Sequence, residues 1–243
     1  MFTLNARVLL LVLFGLCSGC ASLEGPEYGE YDQAEGLNRI SYNAFDWVDR
    51  KAFAPVARGY QKVTPGFVRA GVTNAFTNLR TIDSSINGFL QGKVRKGSTD
   101  FARVLINSTL GIGGLFDVAK RMGLNYGSED LGQTFGVYGY ARTNYVFLPL
   151  GGPSAVRDLP GRLIVTVLPR LILGSAYSWP VGVLDAINGR ANILVLTDAR
   201  DDSALDPYVF TRDAYFQGRS FAIFDGDPPL DDTFDADFDD DEF

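Results

Sequence analysis

Cys20 is the side chain whose neighbours point most directly to a chemical modification. It follows one basic residue, Arg7, the apolar run Val8 to Leu16 and the small residues of Cys17-Ser18-Gly19. A short apolar stretch ending in small residues before a cysteine is the pattern of a bacterial lipoprotein signal. Cleavage falls before the cysteine, and its thiol and new amine are then acylated. Cleavage at Cys17 would set bulky Leu16 beside the cut, so Cys20 is the expected acceptor. Acyl chains contribute roughly 0.8 kcal/mol per buried CH2, and several of them make the anchor effectively permanent. The alternative, an N-terminal spanning helix, asks for about 20 apolar residues, and the run is far shorter.

The remaining residue types exclude more chemistry than they offer. Histidine is absent and there are two cysteines, both near the anchor. That removes Cys-His and Ser-His nucleophile pairs and zinc sites built on imidazole or thiolate, leaving carboxylates, Lys and Tyr for acid-base work. Carboxylates do lie beside serines, in Ser128-Glu129-Asp130 and Asp201-Asp202-Ser203. Without a tuned base they read first as helix caps and turns, and a hydrolase built on Glu129, Asp130 and Asp158 is the least favoured function. Gly111-Ile-Gly-Gly-Leu-Phe is not a dinucleotide fingerprint, because no Val/Ile-rich strand precedes it and its third glycine is misplaced. No catalytic residue, metal ligand or cofactor is expected. Aromatic residues scattered through a basic body would suit nucleic acid, but an exported, lipidated setting argues against it.

Charge divides the chain. The formal net charge is −7, yet residues 37–224 hold 21 Lys and Arg against 14 Asp and Glu. The stretch 20–36 is acidic and turn-rich and reads as a tether from the anchor, while 225–243 carries ten acidic residues and should be disordered by self-repulsion. The expected division is a signal over 1–19, the tether, one domain over 37–224 and the acidic tail. A basic body suits anionic lipid headgroups, each nearby cation being worth on the order of 1 kcal/mol; ordinary surface charge is the plain alternative.

The elements that must position these groups read as mainly helical. Thr64-Pro65 is a helix start with a capping hydroxyl and Pro at the first helical position, followed at three- and four-residue spacing by Phe67, Val68, Val72, Ala75, Phe76 and Leu79. Ser98 is another, with Asp100 in the first turn and Phe101, Val104, Leu105 and Ser108 along one stripe. Glycines crowd the segment from Gly111 to Gly139, with Gly136 and Gly139 at its end, which implies tight turns, close backbone approach, a mobile hairpin, or a plain loop-rich connection. Leu163 to Ile187 is strongly apolar, but Pro169-Arg170, Gly174 and Pro180 should break it into pieces of six to eight residues. A central charge costs roughly 2.5–3.5 kcal/mol on insertion scales, so one spanning helix is not expected. Short apolar helices seated in one leaflet through Leu163, Ile164, Leu171, Ile172 and Trp179 are one reading; a buried helix pair is the other. Val181 to Ala199 can continue as a helix with Leu184, Ile187, Ala191, Leu194 and Val195 on one face.

Eight ordered strings carry a resemblance: Asn38-Arg39 with Asn43-Ala-Phe45-Asp46; Phe53-Ala-Pro55-Val56-Ala57 before Tyr60; Asn74-Ala-Phe76 with Asn78-Leu79; Leu90-Gln91-Gly92-Lys93; Arg103 with Asn107-Ser108-Thr109-Leu110-Gly111-Ile-Gly113-Gly114-Leu-Phe116-Asp117-Val-Ala119; Glu129-Asp130-Leu-Gly132-Gln133-Thr134-Phe-Gly136; Pro149-Leu-Gly-Gly152-Pro153-Ser154 with Arg157-Asp158; and Asp206-Pro207-Tyr208 with Arg212-Asp213-Ala-Tyr215. Together they resemble the MlaA (VacJ) family of outer-membrane lipoproteins, from about Leu37 to Gly226. The resemblance implies an all-α, ring-like single domain with a polar channel, lying in the periplasmic leaflet of a Gram-negative outer membrane. Ala21 after the acceptor, rather than Asp, resembles outer-membrane sorting. Phospholipid misplaced in the outer leaflet would pass through the channel to a soluble periplasmic carrier, with trimeric porins as partners. Asn43 and Phe45, in the first string, are expected to set the channel's resting state, and Gly136 and Gly139 to belong to its wall. Here Ala141-Arg142-Thr143-Asn144-Tyr145 departs from the family's glycines and proline and sets a cation, Arg142, by the implied route. The alternative is a porin-associated structural lipoprotein that moves no lipid.

Overall fold

The computed structural model describes residues 31–140 and 143–228, without the side chains of 168–173, 175 and 177. Cys20, Arg142, the side chains of Leu171 and Ile172, and most of the tether and tail lie outside the described residues.

The chain is helical apart from one small hairpin. Helix α1 (Glu35–Val48) runs into a π-helical turn (Asp49–Phe53) and then α2 (Ala54–Val63). Thr64 is extended, as a residue before proline must be, and α3 (Gly66–Leu90) starts from Pro65 with no side-chain cap. Gly92, at φ 73°, turns the chain. Helix α4 (Val94–Thr109) then begins four residues earlier than the Ser98 start expected from sequence, with Lys93 as its first flanking residue. The glycine-rich segment supplies turns and two short helices, α5 (Val118–Arg121) and α6 (Leu131–Val137). Tyr-Val-Phe-Leu, a run of β-formers, makes β1 (Tyr145–Leu148), antiparallel to β2 (Gly152–Ala155) with Tyr145 opposite Ala155 and Leu148 opposite Gly152.

The apolar stretch breaks once rather than three times. After a 3-10 turn (Val156–Asp158), α7 (Leu159–Leu173) and α8 (Ser175–Asn192) meet at Gly174, whose φ of 74° only glycine adopts cheaply. Pro180 sits inside α8, where a proline forfeits one backbone hydrogen bond without ending the helix. Helices α9 (Leu194–Ser203) and α10 (Pro207–Ile223) complete the chain. None of the described helices is long and apolar enough to cross a membrane.

Contacts between elements close on themselves. Helix α2 packs on α8, α8 on α3, α3 on α6, α6 on α10, α10 on β2, and β1 on α1, which returns through the π turn to α2. The architecture is ring-like and all-α. Its apolar core is correspondingly local: Tyr42, Tyr145, Phe147, Ala155, Tyr208 and Phe216 form one cluster, and Ala54, Ala57, Ala191 and Leu194 a smaller one.

Candidate functional site

Burial is inverted in this body. Among the described residues 20 polar or charged side chains are buried against 12 hydrophobic ones, and 39 large apolar side chains are exposed. Soluble domains hide apolar groups and expose lone ones only singly; here the exposed ones form continuous faces. On α3 the outward stripe is Val68, Leu79, Ile82, Ile86 and Phe89. The sequence's apolar spacing therefore marks an outer surface, and Phe67, Val68 and Leu79 of the expected stripe are exposed, as are Phe101 and Leu105 of the next. On α7 and α8, Leu163, Ile164, Val165, Trp179, Val181, Val183 and Leu184 are 40–60% exposed.

Polar bonds join the inner faces beside the two apolar clusters. Asp32 accepts from Asn38 Nδ2 (2.7 Å), Tyr208 Oη (2.5 Å) and Arg212 Nη1 (3.4 Å), and Asn38 accepts from the Phe147 amide (2.9 Å), so one carboxylate ties α1, α10 and the hairpin. Helices α3 and α4 approach through glycine, since a Cβ on Gly88 would stand 2.9 Å from the Gly97 nitrogen, and Ser85 Oγ donates to the Gly97 carbonyl (2.9 Å). Ser84 donates to Asp100, whose other oxygen accepts from the Gly127 amide (3.0 Å). Small residues and interhelical hydrogen bonds of this kind are how helices associate where the surrounding solvent is itself apolar.

The carboxylates beside serines serve structure. Asp130 caps α6 by accepting from the Gln133 amide (2.9 Å) and binds both terminal nitrogens of Arg219 (2.6 and 2.9 Å). Burial opposes its charge, but the Arg219 hydrogen bonds outweigh that and hold Asp130 below the ordinary carboxylate range. Arg219 also reaches Asp158 (2.8 Å), which takes a hydrogen bond from Tyr215. Glu129 is buried against Lys93 (3.3 Å) and Lys96 (2.8 Å), and both lysines also hold Asp225. Asp201 pairs with Arg50 and Arg200. These cations are matched by carboxylates, so they serve as ties between elements.

The sequence-selected positions occupy separate arcs. Asn43 is exposed on α1, while Phe45 is half-buried with its ring 5.7 Å from Phe147 and 6.4 Å from Phe53, between the hairpin and the π turn. Gly136 is buried where a Cβ would stand 2.7 Å from Ile223, so it lets α6 close on α10. Gly139, at φ 99°, ends α6. Leu163, Ile164 and Trp179 are exposed on α7 and α8.

Sequence reasoning passed over a polar stripe on α3. Arg69, Thr73, Phe76, Arg80, Asp83 and Asn87 share one face at helical spacing. Thr73 Oγ1 accepts from Asn188 Nδ2 (2.9 Å) and Asn192 Nδ2 (3.2 Å), Arg80 binds both oxygens of Asp185 (2.7 Å each), and Thr134 donates to Asn87 Oδ1 (2.9 Å). Asp83 is pushed above the ordinary carboxylate range by burial and by nearby Asp130, against a hydrogen bond from Asn87. Period-3.6 searches look for apolar residues, so a polar inner face leaves no mark in them.

A family model described as MlaA lipoprotein matches residues 30–222. The intermembrane phospholipid transport system lipoprotein MlaA of Shigella flexneri is 34% identical over 220 residues, covering 87% of this chain and 86% of that protein. Its namesake in Haemophilus influenzae is 28% identical over 206 residues, covering 80% of each. A solved structure described under structural basis for maintenance of bacterial outer membrane lipid asymmetry superposes with a TM-score of 0.69 at 34% identity, covering 79% of this chain and 98% of that one.

Proposed function

Because the chain belongs to the MlaA lipoprotein family, we propose that it removes phospholipid misplaced in the outer leaflet of the outer membrane and passes it through its ring to a soluble periplasmic carrier, so maintaining lipid asymmetry. The observation that carries this reading is the inverted burial: 39 large apolar side chains outside and mostly polar groups inside suit a body set among acyl chains with a wet interior. Acylation of Cys20 fixes the chain to the membrane. The apolar faces of α7 and α8 seat it in the periplasmic leaflet, each half-exposed aliphatic side chain adding on the order of 1 kcal/mol on transfer to hydrocarbon. The polar arc of α3, α6, α8 and α10 offers the headgroup a path, while the tails remain on apolar surface. A trimeric porin would brace the ring across the bilayer. No bond is made or broken in this cycle, so the protein is not an enzyme in this reading.

Phe45 packs on Phe53 of the π turn, which joins the hairpin arc to the α2–α8 arc, and Asn43 is exposed on the same helix ahead of it. Deleting them would rotate α1 against its neighbours and change the channel's resting state. Gly136 and Gly139 would let the α6 wall move.

The test uses full-length lipidated protein with its porin in vesicles carrying labelled phospholipid. Transfer of label to a soluble carrier is expected, and its absence with correctly inserted protein would leave the structural, non-transporting role.

A further inference from the structure

Every interior cation but one among the described residues has found a partner. Among the described residues the lysines and arginines that are not fully exposed pair with carboxylates or carbonyls, except Arg69. Arg69 is half-buried, its Nε is shut off from solvent with no acceptor, and it takes part in no ion pair among the described residues. One turn along the same face, the Thr73 hydroxyl accepts two amide hydrogen bonds and donates to nothing described. Its two lone pairs are occupied by Asn188 and Asn192, so its proton is the hydrogen-bonding capacity left over.

A guanidinium offers five donors in a planar fork, and at Arg69 the Nε proton, shut off from water without an acceptor, carries a cost. A threonine proton beside it adds a further donor. Arg69 and the Thr73 hydroxyl both have donors to offer and neither is paired with a carboxylate among the described residues, which suits an oxyanion, and a guanidinium matches a phosphate's oxygens two at a time. The surroundings fit an amphiphile bearing that group. Phe67 and Val68, next to Arg69, are exposed apolar side chains, and across the α3–α8 seam Ile193, beside the Asn192 that binds Thr73, is exposed as well. The next cation on the stripe, Arg80, is already held by Asp185 and leaves no second station of the same kind.

We infer that Arg69 and the Thr73 hydroxyl form the phosphate-holding station of the passage, where the phosphodiester of a transiting glycerophospholipid docks with its tails against the apolar rim of α3 and α8. This rests on the transport reading and names the chemistry that its interior recognises. Thr73 is already fixed by Asn188 and Asn192, so the station is preorganised and only the ligand need be ordered.

The test compares detergent-extracted wild type with Arg69→Gln, Arg69→Lys and Thr73→Val by native mass spectrometry, with thermal unfolding of each to verify the fold. Three probes are added in turn: a phosphatidylglycerol, a diacylglycerol of the same chains, and inorganic phosphate. Removing a charge-assisted contact is expected to lower phosphatidylglycerol occupancy roughly tenfold in Arg69→Gln, with partial retention in Arg69→Lys and diacylglycerol binding unaltered. Phosphate that protects wild type but not Arg69→Gln against heating, without competing with lipid, would make the station one for the free anion and overturn its assignment to lipid. Equal lipid occupancy in a folded Arg69→Gln overturns the station and leaves the transport reading standing, whereas wild type that holds no phospholipid while cells still depend on it for leaflet asymmetry sinks the station alone. If Arg69→Gln fails to fold, Thr73→Val and Arg69→Lys carry the comparison, and undiminished occupancy in both overturns the inference.

Discussion

A carboxylate held above its ordinary range is a stability cost that pH can remove. Asp83 is such a group, raised by burial and by Asp130. Its folded form prefers the proton more than the unfolded chain does, so ionisation destabilises the fold at neutral pH, and the cost vanishes once both states are protonated. Asp83→Asn keeps the oxygen that accepts from Asn87 and should raise Tm at pH 7 but not at pH 3, read by thermal unfolding in detergent. Asp130 works with the opposite sign: its pKa is lowered chiefly by Arg219 against the effect of burial, so its contribution is present above the ordinary carboxylate pKa and is lost as pH falls through its lowered folded value. Cutting the Asp49–Arg190 pair, whose two bonds are 2.7 Å each, leaves a guanidinium stranded in a mostly buried site. Asp49→Ala should cost about 3 kcal/mol, the scale for removing one partner of a buried pair. The matched strings of the sequence hold many of these polar residues, among them Asn38, Arg103, Asn107 and Asp158. Their identities were legible but not their burial, because partners such as Asp32 and Tyr208 are 176 residues apart.

Elements here depend on where glycine is and is not needed. In α6, alanine for Gly132 would gain about 1 kcal/mol of helix propensity. Its Cβ, however, would overlap Asp158 Oδ1 and fall 2.6 Å from Arg219, so the ion cluster would have to move. The overlap wins, and Gly132→Ala should be destabilising by about 1–3 kcal/mol, the usual range for overpacking. Gly182 in α8 has nothing within 4 Å of its Cβ position. Gly182→Ala should therefore stabilise by up to about 1 kcal/mol, and denaturant or thermal unfolding of the two variants gives the sign of each. The start of the helix over 66–90 was legible from Thr64-Pro65 and the spacing as far as Leu79, whereas the helix over 175–192 was divided at Pro180 and carried on past its end to Ala199. Their outward polarity was not, because periodicity gives a face without giving its solvent. Pro169 and Pro180 misled the segmentation, since a proline's lost bond does not oblige a helix to stop.

At the scale of the molecule, the ring follows from contacts between segments far apart in sequence, such as α2 with α8 and β2 with α10. Propensity and spacing could not foresee that closure; only the resemblance of ordered strings could. The proposed anchor at Cys20 rests on a short apolar run before a cysteine, a signature that depends on local sequence alone. Both tryptophans are exposed, Trp47 at 65% and Trp179 at 60%. If α8 is seated in a leaflet, brominated lipid should quench Trp179 fluorescence in a Trp47→Phe variant, and unquenched emission would remove the seating face. The most direct test of the central claim is outer-leaflet phospholipid in living cells, measured with a membrane-impermeant amine reagent. Loss of this protein should raise the labelled fraction and its return should lower it again; a labelled fraction indifferent to the protein would contradict the account.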